Sequence, residues 1–174
     1  MLYPLFEWME GLGVYGASFY LGPAVNLVHL LAMVMLMGAL IIVDLRLLGV
    51  GLKGQPLSQV ARDAQPWFIV GLIGITLTGI PQLAERATDQ YVNSLFWVKM
   101  YLLIFGLSWT FTIRRKVTQA EESRGALPKI VAIVSLFVWF SVPSLARLIM
   151  LLPENFFFTI RNPTSVSLPL LLWP

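Results

Sequence analysis

Four long apolar runs constrain this chain more than any other feature of its sequence. They lie at about residues 24–44, 67–84, 95–113 and 130–152, and each is bounded by charged residues or proline. A helix needs about 20 predominantly apolar residues to cross the hydrocarbon core of a bilayer. The sequence therefore predicts an all-α membrane protein built as a bundle of four transmembrane helices.

The composition agrees with this fold class. Of the 174 residues, 57% are hydrophobic and only 12% are charged, whereas soluble domains contain about 25% charged residues. After four spans the chain has no room for a separate soluble domain, so we expect one membrane domain over residues 1–174. The chain has no cysteine, which excludes disulfides, iron–sulfur clusters and thiol chemistry.

Two flanking segments are too polar or too broken to span. Residues 3–20 carry six aromatic side chains, with Glu7 and Glu10 one helical turn apart, which predicts an N-terminal helix lying in the membrane interface. Residues 153–174 are apolar but interrupted by Pro163 and Pro169. We expect this tail to lie in the interface or against a partner protein.

The basic residues are distributed unevenly. Three lie between the first and second spans, one between the second and third, and five between the third and fourth. By the positive-inside rule, the first and third loops are cytoplasmic and both termini face the outer, periplasmic side of a bacterial inner membrane. Because the lysines and arginines are spread over the loops and do not form one continuous surface, they favour a role in setting membrane topology and argue against nucleic-acid binding.

Three ionisable residues lie inside spans, where they are costly unless paired or close to the interface: His29, Lys99 and Arg147. With the predicted topology, all three lie about 6–8 Å from the outer end of their helices. Asn26 lies on the same helix face as His29, and Gln82 ends the second span on the same side. The sequence therefore predicts a polar ligand site in the outer leaflet.

A b-type haem would fit this set of residues. His29 would be the axial metal ligand, and Lys99 and Arg147 would pair with the propionates. Met33 is too close to His29 to reach the opposite face of the haem, so the second axial ligand would be Met100, a residue of another chain, or none. A quinone or an anionic lipid headgroup would use the same cations, and a copper ion could use His29 with nearby methionines. A structural alternative is a hydrogen bond from His29 across helices, with both cations reaching to water.

Polar and small residues elsewhere have simpler interpretations. Asp44 ends the first span, where we expect it to anchor the helix at the interface or to reach Arg114 or Arg115. In the second span Gly71 and Gly74 recur at helical spacing, followed by Thr78 and Gln82, which predicts close approach of a neighbouring helix. Pro66 precedes the apolar run and is expected at the start of its helix.

The first three spans carry a family resemblance. The strings LFEWME, LVHLLAMVMLMGALIIVDLRLLG, PWFIVGLIGITLTGIPQLAE and NSLFWVKMYLLIFGL cover most of residues 5–115. They resemble an uncharacterised family of bacterial four-helix inner-membrane proteins. His29 in the first span and Lys99 in the third are distantly similar to the copper-resistance protein D group and to HemJ-type protoporphyrinogen oxidases. This distant resemblance implies a b-type haem held by His29 and a role for Lys99, whereas the closer resemblance implies fold but no activity.

We therefore expect a haem-binding, electron-carrying membrane protein, or a non-catalytic accessory subunit of a larger membrane complex or homodimer. The sequence contains no glycine-rich phosphate loop and no second histidine for a metal triad, which favours a non-enzymatic role. A transporter is disfavoured because the polar cluster does not continue towards the cytoplasmic side.

Overall fold

A computed structural model describes residues 2–12, 21–52, 54–120 and 125–151, with the side chain of Met150 excluded. The described chain forms seven α-helices and one π-helix and contains no strand. They are α1 (Tyr3–Gly11), α2 (Leu21–Leu48), α3 (Leu57–Glu85), α4 (Ala87–Val92), α5 (Ser94–Trp109), the π-helix (Thr110–Arg114), α6 (Arg115–Gln119) and α7 (Ala126–Leu151). The expected tail at 153–174 and the second half of the expected interfacial segment lie outside the described residues.

Four of these helical stretches are long and apolar enough to cross a membrane, which makes the chain a multi-pass membrane protein. They are α2, α3, the continuous stretch Ser94–Gln119 and α7 up to Ile149. Each of the four predicted spans lies within or overlaps one of them, so the predicted fold class is confirmed. The short α1 confirms that a helix precedes the first span.

The helix of the second span, α3, is longer than its apolar run predicts. α3 begins at Leu57, ten residues before the predicted span, and Pro66 lies inside it. The expectation that Pro66 marks the start of the helix is therefore wrong. Residues 57–65 are polar enough to lie outside a bilayer, yet they remain helical because Val60 packs against Val43 and Leu47 of α2.

The antiparallel pair α2 and α3 forms the most intimate helix contact of the bundle. A methyl group added at Gly71 would lie 2.8 Å from the Leu36 nitrogen and 2.9 Å from the Ala32 carbonyl oxygen. A methyl group at Gly74 would lie 2.8 Å from the Ala32 Cβ. Small residues let helix backbones come into contact. Inside a bilayer no hydrophobic effect drives helices together, so the dispersion contacts between these backbones stabilise the pair. The predicted close approach at this face is confirmed.

A buried ion pair joins three helices at the end of the bundle near the α2–α3 loop. Arg114 donates from Nε to Asp44 Oδ1 at 2.8 Å and from Nη2 to the Leu40 carbonyl oxygen at 3.1 Å. Ser135 donates its hydroxyl to Asp44 Oδ2 at 2.7 Å. Asp44 is 0% exposed, so the anchoring role expected for it is wrong, and the alternative contact with Arg114 is confirmed.

The π-helix places Arg114 for this ion pair. Its wider turn carries Thr110 and Arg114, both of which are buried. Trp139 of α7 donates its Nε1–H to the Thr110 hydroxyl at 3.1 Å. Isolated π-turns in a helix often mark functional or strained positions, and here the π-turn directs two polar side chains into the bundle.

The opposite end of the bundle is closed by α1 and α4. Phe6 of α1 packs with Ala87 and Phe96, and its ring lies 5.1 Å from that of Tyr91 in an edge-on arrangement. Thr88 donates its backbone N–H at 2.9 Å, and also its hydroxyl, to the Glu10 carboxylate. These hydrogen bonds lower the pKa of Glu10, because they stabilise the charged form.

Candidate functional site

His29, the only histidine of the chain, lies between α2 and α3. Its Nδ1 is 2.7 Å from the Thr78 hydroxyl oxygen. The ring is half-buried, and a methyl group added at Gly79 would lie 3.6 Å from its Cε1. The side chain is therefore held against α3 on one side and is not folded into the apolar core.

The Thr78 hydroxyl decides which imidazole nitrogen carries the proton. It lies 2.6 Å from the Gly74 carbonyl oxygen of the preceding turn. Two oxygen atoms at that separation need a proton between them, and a hydroxyl has only one to give. Thr78 therefore donates to Gly74 and accepts from His29, so Nδ1 is protonated. In the neutral ring this leaves Nε2 with a free lone pair.

This arrangement is typical of histidines that bind metals. A ligating imidazole commonly donates its second nitrogen to a neighbouring oxygen, which fixes the ring orientation and raises the basicity of the ligating nitrogen. Thr78 serves as that oxygen here. Sequence reasoning placed Thr78 only in a packing face, although its position one turn from Gln82 was a usable signal.

Gln82 adds an unsatisfied hydrogen-bond donor one helical turn beyond Thr78. Its Nε2 is buried and has no hydrogen-bond partner among the described residues. A buried amide without a partner costs about 1–3 kcal/mol. Such a group in a native structure needs an explanation, and a bound ligand with an acceptor oxygen is one.

Lys99 places a cation at the same end of the bundle as His29. Its Nζ lies 5.1 Å from the ring centroid of Phe96, over the ring face. Phe96 belongs to the same cluster as Leu83 of α3, which lies one turn beyond Gly79, the residue next to the His29 ring. The side chain is half-buried. Lys99 and His29 therefore lie towards the end of the bundle that α1 and α4 close.

Two other predicted site residues make no polar contact with the described part of the chain. Asn26 and Arg147 are exposed, and neither forms a hydrogen bond or ion pair with the described residues. Arg147 does lie at the expected end of the bundle, because Ile149 packs against the Phe6 cluster. The structure thus joins His29 to Thr78, places Gln82 one turn further along α3 and Lys99 at the same end of the bundle, and keeps Asn26 and Arg147 on the surface.

The site offers one lone pair, at His29 Nε2, together with N–H donors on Gln82 and Lys99. Within the described ranges, no three His, Cys, Asp or Glu side chains converge on a metal-sized site. The arrangement suits a ligand that takes one nitrogen from the protein and presents oxygen atoms to the surrounding donors.

The comparisons with known proteins give a family but no activity. Residues 5–151 match the model of a family of unknown function, DUF6644. No curated protein and no solved structure gives a significant match. The matched region contains all four spans and every residue of the site. The chain therefore belongs to the DUF6644 family, whose function is not assigned.

Proposed function

We propose that this chain is a haem-binding electron carrier of the bacterial inner membrane, in which His29 would hold a b-type haem. The observation that supports the proposal is the hydrogen bond from His29 Nδ1 to Thr78, which leaves Nε2 free. When bound, the haem would supply one-electron chemistry.

The residues around His29 fit the polar part of a haem. Lys99 carries a cation for one propionate, and the unpaired amide of Gln82 can donate a second hydrogen bond to a carboxylate. Met100, which the sequence offers as a second axial ligand, packs with the Phe6 cluster. His29 would therefore be the residue of this chain that holds the haem iron.

Absorption spectroscopy tests the proposal. Protein expressed with sufficient haem supply and purified in mild detergent should show a Soret band, and His29→Ala should remove it. Thr78→Val should weaken haem affinity about 10–100-fold, as the loss of a partner behind a metal ligand does. Thr76→Val is the matched control, since Thr76 also bonds the preceding turn but is exposed. A Soret band that is absent, or unchanged in His29→Ala, would refute the proposal.

A quinone headgroup is a second candidate, supported by the unpaired Gln82 amide. A quinone carbonyl accepts hydrogen bonds from donors such as Gln82 and Lys99, and the reduced hydroxyl can donate to His29 Nε2. Quenching of tryptophan fluorescence by a soluble quinone analogue would measure binding. Gln82→Leu should weaken it about ten-fold, whereas equal binding by this variant would exclude the quinone site.

The proposed orientation places both termini on the periplasmic side. It is supported by Arg46 near the end of α2 and Lys129 near the start of α7, which line one cavity and so share one end of the bundle. Because the chain lacks cysteine, single introduced cysteines can be labelled without background. A membrane-impermeant thiol reagent added to intact cells should label Val92→Cys and spare Gln55→Cys, and the reverse pattern would overturn the orientation.

A further inference from the structure

A cavity lies at the end of the bundle opposite to His29. It has a volume of about 490 Å³ and lies between the end of α2, the start of α3 and the start of α7. Its walls include Arg46, Leu48, Leu57, Ser58, Pro128 and Lys129, and we call it the loop-end cavity. The volume is within the range of about 300–1,000 Å³ that is common for small-molecule sites.

The described lining of this cavity is positively charged. Arg46 and Lys129 contribute cations, and none of the described lining residues is acidic. Arg46 is held in place because its Nε and Nη2 donate to the Gln55 carbonyl oxygen at 3.1 and 2.9 Å. A guanidinium carries five N–H groups, so this anchored side chain still has donors for an anion.

The start of α3 adds favourable backbone dipoles. Pro56 occupies the N-cap position, no side chain caps the helix, and its first turn contains no acidic residue. The positive end of the helix dipole and its unpaired N–H groups favour an anion at this position. Ser58, in the same turn, lines the cavity with a hydroxyl group. The cations, the hydroxyl and the backbone groups therefore complement the same kind of ligand.

The position of the cavity indicates where the anion comes from. α2 ends at Leu48 and α3 begins at Leu57, so the cavity lies at the ends of two membrane-spanning helices. Phospholipid headgroups meet the ends of membrane-spanning helices, and Leu48 and Pro128 give the cavity apolar walls on the sides of α2 and α7. Basic pockets between transmembrane helices are known to hold anionic lipid headgroups.

We propose that the loop-end cavity binds a phosphate group, and that the ligand is an anionic phospholipid held by Arg46 and Lys129. The site is separate from His29 and does not depend on the function proposed there. Its ligand class is a phosphodiester headgroup such as that of phosphatidylglycerol.

The thermal stability of the full-length protein in detergent tests this proposal. Phosphatidylglycerol should raise the unfolding temperature, whereas zwitterionic phosphatidylcholine with the same acyl chains should not. Protection by phosphatidylglycerol alone supports the lipid, and protection by inorganic phosphate alone would assign the site to a soluble phosphate compound and overturn the lipid assignment. Protection by neither would overturn the whole proposal.

Substitutions locate the binding to the cavity. Lys129→Gln and Arg46→Gln should each weaken phosphatidylglycerol binding about five-fold, measured by lipid titration. Lys129→Gln is the cleaner variant, because Arg46 also holds the loop at Gln55. Arg62→Gln removes an exposed cation of α3 outside the cavity lining and should bind as the unaltered protein does. Equal weakening by Arg62→Gln and Lys129→Gln would show general surface attraction and refute the site.

Discussion

The ion pair between Asp44 and Arg114 gives the most quantitative prediction for the fold. Arg114→Met should destabilise the protein strongly, because Asp44 is 0% exposed and would keep only its hydrogen bond from Ser135. The variant also removes the donor to the Leu40 carbonyl oxygen. Breaking a buried ion pair by removing one partner costs about 3–5 kcal/mol. The total free energy of unfolding of a protein is about 5–15 kcal/mol, so this one substitution would remove a large share of it.

Ser135→Ala provides a graded comparison. It removes one hydroxyl donor and leaves the ion pair in place, so we expect a loss of about 1.5–3 kcal/mol, as for hydrogen bonds to charged groups. The double variant Asp44→Leu with Arg114→Met removes both charges. It should be more stable than Arg114→Met alone, because replacing a complete buried pair by apolar residues is often neutral or stabilising.

Reversible unfolding in mixed micelles, followed by tryptophan fluorescence, would measure these free energies. A double-mutant cycle then isolates the coupling between Asp44 and Arg114. The reasoning would be refuted if Arg114→Met cost less than about 1 kcal/mol, or if the effects of the two single substitutions simply added in the double variant.

Two further predictions concern helix contacts. Gly71→Ala should destabilise the bundle by about 1–3 kcal/mol, because its methyl group would meet backbone atoms of α2, whereas Gly38→Ala has open space and should be neutral or stabilising by up to about 1 kcal/mol in the same unfolding assay. The contact between Glu10 and Thr88 should weaken in acid: the pKa of Glu10 is lowered in the folded state, so its contribution is present above the unfolded pKa and is lost as the pH falls through the folded one. The protection factor of the α1 amides, which is the exchange rate corrected for the intrinsic rate at the same pH, should therefore fall at low pH. Glu10→Gln should abolish this fall, Thr88→Val should reduce it because the backbone N–H bond remains, and Glu7→Gln should retain it; a protection factor that is independent of pH in the unaltered protein would contradict this.

The number and placement of the spans could be predicted from the sequence because each crossing needs a long apolar run. The true helix ends could not, since helices continue outside the bilayer where packing supports them. Leu57 begins α3 in a polar stretch, and only the contact of Val60 with α2 explains why that stretch is helical. Hydropathy indicates whether a residue lies in lipid or in water, whereas the residue at which a helix ends depends on the side chains packed around it.

The candidate site was predictable in part. Position along the helices predicted that His29 and Lys99 lie at one end of the bundle, and the packing of Phe96 beneath Lys99 with Leu83 of α3 places them there. The partner of His29 was not predictable, because Thr78 resembles any small residue of a packing face until the rotation of α3 is known. Asp44 shows the same difficulty, since its burial depends on the π-turn that brings Arg114 to it. Neither rotation nor a π-turn leaves a regular signal in one sequence.

The protonation of His29 tests the central claim of this account most directly. Because the chain has one histidine, solid-state ¹⁵N NMR of protein labelled at histidine gives a single pair of ring nitrogen signals. At a pH where the ring is neutral, we predict a protonated Nδ1 and an unprotonated Nε2, with Thr78→Val losing this preference. A protonated Nε2 in the unaltered protein would contradict the account, because the lone pair proposed to bind the ligand would not exist.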